Sequence, residues 1–209
     1  MNNWIIFDAM GVIFEVGDDT NELLVPFIRH RKPQVDEKHI QAIYLQASLG
    51  QITASDFWRL VGLEEAYPQI EQTYLDTCLK LDPQFKETAT ELSRENSLAI
   101  LSNDVKEWSF YLRGRYGLSQ LCREVIISSE VGYRKPSPEI YEILLERLAV
   151  PAKQCIFIDD RIANLRPAIE IGITPVWYQR KAETKNQEIQ YSIQNFTELP
   201  EIVAKIFAI

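Results

Sequence analysis

Six short, continuous apolar runs, each bounded by polar or turn-forming residues, constrain this 209-residue chain more than any other feature. They are Trp4 to Phe7, Leu98 to Leu101, Val125 to Ile127, Cys155 to Ile158, Thr174 to Tyr178 and the weaker Tyr191 to Ile193. A strand with one wet face alternates apolar and polar residues; runs without alternation suit a sheet covered on both faces. Helical patterns separate the later runs. Phe85, Ala89 and Leu92 share one helix face, as do Ile140, Tyr141, Leu144, Leu145 and Leu148 behind Ser137 as N-cap and Pro138 at the first helical position. A further helix is expected to follow Asn164 and close at Gly172, with Pro167 acceptable only within its first turn. Helix and strand in alternation predict an α/β fold, a doubly wound, Rossmann-like parallel sheet.

Residues 16–82 break that rhythm. They hold no convincing strand but repeated helix signals: Leu24, Phe27 and Ile28; Ile40, Ile43, Tyr44 and Ala47; Phe57, Leu60 and Val61; Ile70, Tyr74 and Cys78. Thr53 with Asp56 reads as a variant capping box, and Gly62 as a stop. The expectation is an α/β core made of residues 1–15 and 83–209, with an all-helical insertion over 16–82 and a return at Asp82-Pro83. Ligands of open parallel sheets bind beyond the carboxyl ends of strands. An insertion leaving the end of the first strand would hang over that site as a cap.

Composition narrows the partners. Thirty acidic against twenty-two basic side chains give a net charge of −8 at pH 7, which argues against nucleic-acid binding through a broad basic surface. No apolar run has the length to cross a bilayer, and the first residues lack the basic segment of a signal peptide. Cys78, Cys122 and Cys155 form no CxxC pair, which fits a reducing cytoplasm rather than a disulfide framework or zinc site. The basic cluster Arg29-His30-Arg31-Lys32 reads as the solvated end of a helix in the insertion.

The chemistry should gather where the runs stop. The first ends in Asp8, the second in Ser102-Asn103-Asp104, and the fourth in Asp159-Asp160 followed by Asn164; Lys135 follows the third. Three carboxylates in one cleft repel each other unless a cation sits among them. Oxygen ligands without a nearby histidine point to a hard divalent ion, Mg²⁺. Lys135 would place positive charge on the other side of a bound anion. Ser102, Asn103 and the backbone N–H groups beyond would bind the same anion. Asp8 can then attack an electrophile held between them.

In order and spacing these residues resemble the haloacid dehalogenase-like (HAD) hydrolase superfamily, in particular members with a helical cap after the first strand. Asp8 matches the nucleophile of the first motif, Ser102 the second motif, Lys135 the third, and Asp159-Asp160 the acidic fourth. Gly50-Gln51-Ile52-Thr53, leading to Phe57-Trp58, is similar to a segment inside such caps. The resemblance spans essentially the whole chain. It implies a Mg²⁺-dependent phosphatase of a small phosphorylated metabolite that works through an aspartyl-phosphate on Asp8. Asp8, the backbone carbonyl of Met10 and Asp160 would hold the metal, with Asp159 assisting. Ser102 and Lys135 would grip the phosphoryl group, and Asn164 would orient the acidic pair.

The chain departs from the family at Met10. Phosphatases of this type usually carry an aspartate there, which protonates the leaving group and then activates water; a thioether does neither. Such acid–base assistance is worth on the order of 10²–10⁴ in rate. Glu15, Asp18 or Asp19 could substitute. Alternatively, Asp8-Ala9-Met10-Gly11 is similar to the first motif of the metal-free 2-haloacid dehalogenases, in which the aspartate attacks carbon. A third reading is a degenerate site that binds phosphorylated ligands without turnover. The doubled acid Asp159-Asp160 favours the phosphatase, because beside an anionic substrate and without a cation its repulsion would be a liability.

Overall fold

The computed structural model describes residues 3–180 and 188–207; the outermost ends of the expected core segments, and residues 181–187, lie outside the described residues. Among the described residues, six strands form one parallel sheet: β1 (Trp4–Phe7), β2 (Ser97–Ser102), β3 (Glu124–Ile127), β4 (Cys155–Asp159), β5 (Thr174–Tyr178) and β6 (Tyr191–Ile193). Their spatial order is β3-β2-β1-β4-β5-β6, and every neighbouring pair is parallel. All six coincide with the expected runs to within a residue or so. The fold is the α/β, Rossmann-like one that the alternating pattern predicts.

Burial explains the uninterrupted apolar runs. Every residue of β1, β2 and β4 is buried, and successive side chains go to opposite faces. Ile5, Phe7, Leu98, Ile100, Ile156 and Ile158 join one core cluster. Trp4, Ile6, Ala99, Leu101, Cys155 and Phe157 join the other. The first cluster takes in Phe85 and Leu92 of α5 (Phe85–Leu92), Trp108 of α6 (Lys106–Tyr116) and Leu199 of α10 (Leu199–Phe207). The second takes in Tyr141 and Leu144 of α8 (Pro138–Leu148) and Leu165 of α9 (Ile162–Glu170). A single-turn helix, α7 (Ser128–Val131), follows β3.

Between β1 and β2 the described elements are helical: a π-helical turn (Thr20–Leu24) runs into α1 (Val25–Arg31), followed by α2 (Glu37–Ser48), α3 (Ala54–Leu60) and α4 (Gln69–Cys78). The expected capping box is formed, with Thr53 and Asp56 each accepting from the other's backbone N–H. Leu24, Phe27, Phe57, Trp58 and Tyr74 belong to the same cluster as one face of the sheet. The aromatic rings of Phe57, Trp58 and Tyr74 lie 5.4, 6.0 and 5.5 Å from that of Trp108, so the helical block and the sheet layer share one core.

The order β3-β2-β1-β4 reverses direction at β1, which makes the crevice between β1 and β4 the switch point where ligands bind in such sheets. Phe7 pairs with Ile158 and Ile100. One residue further along this register, Asp8 stands beside Asp159.

One local expectation is corrected. Helix α9 starts at Ile162, so Pro167 lies in its second turn rather than its first. The helix tolerates a proline there by forgoing one hydrogen bond, the one that the Ala163 carbonyl would accept. It ends as expected: Gly172 has φ +90° and donates to Ile169 O at 2.9 Å, while Ile173 N donates to Ala168 O at 2.9 Å.

Candidate active site

The strand ends bring the three acids together. Asp8, Asp159 and Asp160 each offer a carboxylate oxygen, and these atoms lie within 4.8 Å of one another. Lys135 reaches in from the loop before α8 and is buried. Its Nζ lies 2.7 Å from Asp8 Oδ1 and 2.8 Å from Asp159 Oδ2. Lys135 was expected across an anion from the acids; it is in fact paired directly with two of them. Burial opposes the lysine's charge, but the two carboxylates outweigh it and raise its pKa.

Each acid has a different surrounding. Asp159 is saturated: besides Lys135, the Arg161 backbone N–H donates at 2.8 Å and the Asn164 amide at 3.1 and 3.0 Å. Asn164 therefore orients Asp159 alone, not the pair. Asp8 Oδ1 accepts from the Ala9 N–H at 2.6 Å as well as from Lys135. Burial, and next the Asp159 charge, push Asp8 well above the usual carboxylate range. Burial and Asp159 likewise raise Asp160 to about 6. Asp160 Oδ1 is buried without a hydrogen-bond partner.

Two glycines make room for Asp160. A Cβ on Gly11 would lie 2.3 Å from its Oδ2, and one on Gly17 2.1 Å from the same atom. Gly11 has φ +86°, a conformation that favours glycine. The turn after β1 is closed by Gly11 N to Phe14 O and Phe14 N to Ala9 O, neither of which uses the Met10 carbonyl. Arg180, just beyond β5, donates to Gly11 O at 2.9 Å and Val12 O at 2.6 Å while pairing with Asp82 at 2.6 Å. That residue carried no signal in the sequence, because its partners are all remote.

Oxygen-only donors, an orphaned carboxylate oxygen on Asp160, and three acids against one lysine suit a hard divalent cation such as Mg²⁺. Asp8, Asp160 and the Met10 carbonyl are the residues that would hold it, with the saturated Asp159 behind them.

Beside the acids opens a cavity of about 240 Å³, lined among others by Asp8, Met10, Ser102, Asn103 and Lys135. Ser102 Oγ is buried without a hydrogen-bond partner, which leaves a hydroxyl for an incoming anion. Asn103 is already engaged: its amide donates to Lys135 O at 2.9 Å and accepts from Lys135 N at 2.8 Å. Its side chain positions the lysine, and the expectation that it grips phosphate directly is not supported by these bonds. The N–H groups beyond Ser102 are also not all free, since Asp104 N donates to Ser128 Oγ at 3.0 Å.

The helical block closes the far side. Tyr44 and Gln41 of α2 and Asp18, Asp19, Thr20 and Asn21 line the same cavity, together with Arg134 and Arg161. Of the three acids weighed as substitutes at Met10, Glu15 is exposed and faces a neighbouring hollow. Asp18 is half-exposed and held by the Asn21 amide. Asp19 is buried. The basic cluster stays outside: Arg29 pairs with Glu37 at the surface.

A family model for haloacid dehalogenase-like hydrolases matches residues 3–172. The chain belongs to the HAD-like hydrolase family. Its relatives include a D-ribitol-5-phosphate phosphatase of Bacteroides thetaiotaomicron, 25% identical over 183 residues, which cover 80% of this chain and 87% of that protein. A HAD-family enzyme from the same organism, solved with magnesium and inorganic phosphate, superposes with a TM-score of 0.72 at 20% identity over 90% of this chain and 98% of that one. A 2-haloacid dehalogenase from Pseudomonas syringae pv. Tomato gives the same TM-score at 18% identity, over 98% and 99% of the two chains. At such identities the two structures speak for the HAD fold alone, which phosphatases and dehalogenases share. No helix among the described residues is long and apolar enough to cross a membrane.

Proposed function

We propose that this HAD-like hydrolase is a Mg²⁺-dependent phosphatase of a small phosphorylated metabolite, with residues 16–82 serving as a cap over a core of residues 1–15 and 83–209. One observation carries the reading: Ser102, which lines the cavity with Asp8 and Lys135, and Asp160, which belongs to the acidic cluster with Asp8, each keep a buried side-chain oxygen without a hydrogen-bond partner. The hydroxyl suits an anion and the oxygen a cation, which supports the binding of a phosphoryl group and a metal at one site.

In this reading Asp8 attacks phosphorus with the oxygen that Lys135 does not hold. Lys135 and Ser102 bind the phosphoryl oxygens, and Asn103 keeps Lys135 in place through its backbone. The leaving group departs, and water then hydrolyses the aspartyl-phosphate on Asp8. Mg²⁺, when bound, neutralises the carboxylates and the charge that builds on the transferring group. The polar lining from Gln41, Asn21 and Thr20 suits a hydroxylated leaving group, in keeping with the ribitol phosphate named for the relative. Three free cysteines fit a reducing compartment such as the cytoplasm.

Asp160 disfavours the dehalogenase reading, because a further acid in the cluster beside the nucleophile would repel a haloacid carboxylate. The test is a panel of phosphoesters and 2-haloacids, with Mg²⁺ and with chelator, repeated on Asp8→Asn. Phosphate release that needs Mg²⁺ and Asp8 supports the proposal. Halide release in chelator would replace it with the dehalogenase, and phosphate binding without turnover would replace it with the degenerate site.

A further inference from the structure

We propose that Asp19 is the proton-transferring residue of this site, doing from the helical block what an aspartate at position 10 would do. The inference rests on the phosphatase reading above. Hydrolysis of an alkyl phosphate needs a proton for the leaving oxygen and a base for the attacking water. Met10 supplies neither, although it lines the cavity where both are needed.

Among the described residues, three carboxylates line that cavity: Asp8, Asp18 and Asp19. Asp8 is the nucleophile and is paired with Lys135. Both oxygens of Asp18 accept from the Asn21 amide, at 3.1 and 2.9 Å, and its side chain is half in solvent. Asp19 is only 8% exposed. Its backbone is already helical, with φ −55° and ψ −33°, and its side chain makes no capping hydrogen bond to the Thr20–Leu24 turn. Capping of the turn falls to Asp18, whose Oδ1 accepts from the Asn21 N–H, while Asp19 lines the cavity.

Its surroundings favour a group that exchanges a proton near neutrality. Burial and the adjacent Asp18 raise its pKa, while Arg161 after β4, the Thr20 N–H and Arg134 before Lys135 lower it; the balance is about 7. Tyr44 of α2, Tyr74 of α4 and Asp104 after β2 complete the groups that feel its charge. Both forms are thereby accessible: burial favours the acid, and the two arginines stabilise the carboxylate.

The proton balance closes over two steps. As Asp8 Oδ2 bonds to phosphorus, the bond to the leaving oxygen breaks, and that oxygen takes the proton of Asp19. Asp19, now a carboxylate, accepts a proton from water as the water oxygen attacks the aspartyl-phosphate. The Asp8–phosphorus bond breaks, phosphate departs, and Asp19 is again protonated.

The test compares wild type and Asp19→Asn with Mg²⁺ on two esters, ribitol 5-phosphate and p-nitrophenyl phosphate, whose leaving group needs no proton. Asp19→Asn should lower kcat on the alkyl ester by on the order of 10²–10⁴. On the aryl ester it should keep a burst of nitrophenolate and accumulate phosphoenzyme, seen by intact mass. Adding Met10→Asp to Asp19→Asn should restore alkyl-ester turnover. Should Asp19→Asn not fold, the wild-type pH profile carries the test, with an ionisation near 7 expected in kcat. Alkyl-ester kcat and pH profile unchanged in a folded Asp19→Asn, or a wild-type profile flat through that range, overturns the inference and leaves the phosphatase standing. A wild type that turns over no phosphoester overturns both.

Discussion

Lys135 Nζ lies 2.7 Å from Asp8 Oδ1, in an ion pair with the lysine almost wholly out of solvent. The same ammonium holds Asp159 at 2.8 Å, so one cation fixes Asp8 against the carboxylate beside it in the sheet register. Removing the lysine would strand two buried carboxylates. Breaking such a cluster costs about 3–5 kcal/mol. Lys135→Met should therefore lower unfolding stability by about that amount, read from urea denaturation, and millimolar Mg²⁺ should recover part of the loss.

Gly17 faces Asp160 closely enough that a methyl group would sit 2.1 Å from its Oδ2. Gly17→Ala should swing that carboxylate out of the acidic cluster while leaving the apolar core intact. The expected result is a melting temperature near wild type in chelator but a lost Mg²⁺-induced rise. A Mg²⁺ response equal to wild type would remove Asp160 from the cation site.

Asp104 is buried, and burial, then the nearby Asp19, lift its pKa from 3.8 to about 8. The folded chain keeps a proton that the unfolded chain releases above 3.8. Its stabilising contribution is therefore fully present below that pH and lost as pH rises through about 8. The stability of wild type relative to Asp104→Asn should fall steadily across that window, measured by chemical denaturation at stepped pH. A difference independent of pH would contradict the assignment.

Glu71 Oε2 accepts two indole N–H groups, from Trp58 at 2.9 Å and Trp108 at 2.7 Å, which ties α4 and α3 of the helical block to α6 of the sheet layer. Both indoles are buried. Glu71→Leu should cost about 1–3 kcal/mol for each N–H left without an acceptor, whereas Glu71→Gln should cost far less. Equal losses in the two variants would mean that packing rather than the shared acceptor joins these elements.

Residues whose role follows from position along a strand were readable in the sequence. Asp8 and Asp159 stand at the ends of runs whose lack of alternation already implied a sheet buried on both faces, and parallel order brings such ends to one edge. Ser102 followed for the same reason, whereas Lys135 stands beyond α7 in the loop before α8 and was legible through the resemblance of its motif. Arg180, Glu71 and Arg134 were not readable, because each is defined by partners remote in the chain: Arg180 by Asp82 and Gly11, Glu71 by two tryptophans, and Arg134 by Ser48. Asn103 was readable as a site residue but not in its role, since only the fold brings the Lys135 backbone to its amide. Pro167 shows that a local rule yields when the rest of a short helix, here Leu165 and Ala168, is held by buried packing.

The most direct test of the central claim is to locate the covalent intermediate. Protein mixed with a phosphoester and Mg²⁺, quenched in acid and mapped by peptide mass, should carry phosphate on the peptide containing Asp8, and Asp8→Asn should carry none. Steady turnover with the phosphate on another residue, or undiminished turnover by Asp8→Asn, would contradict the account.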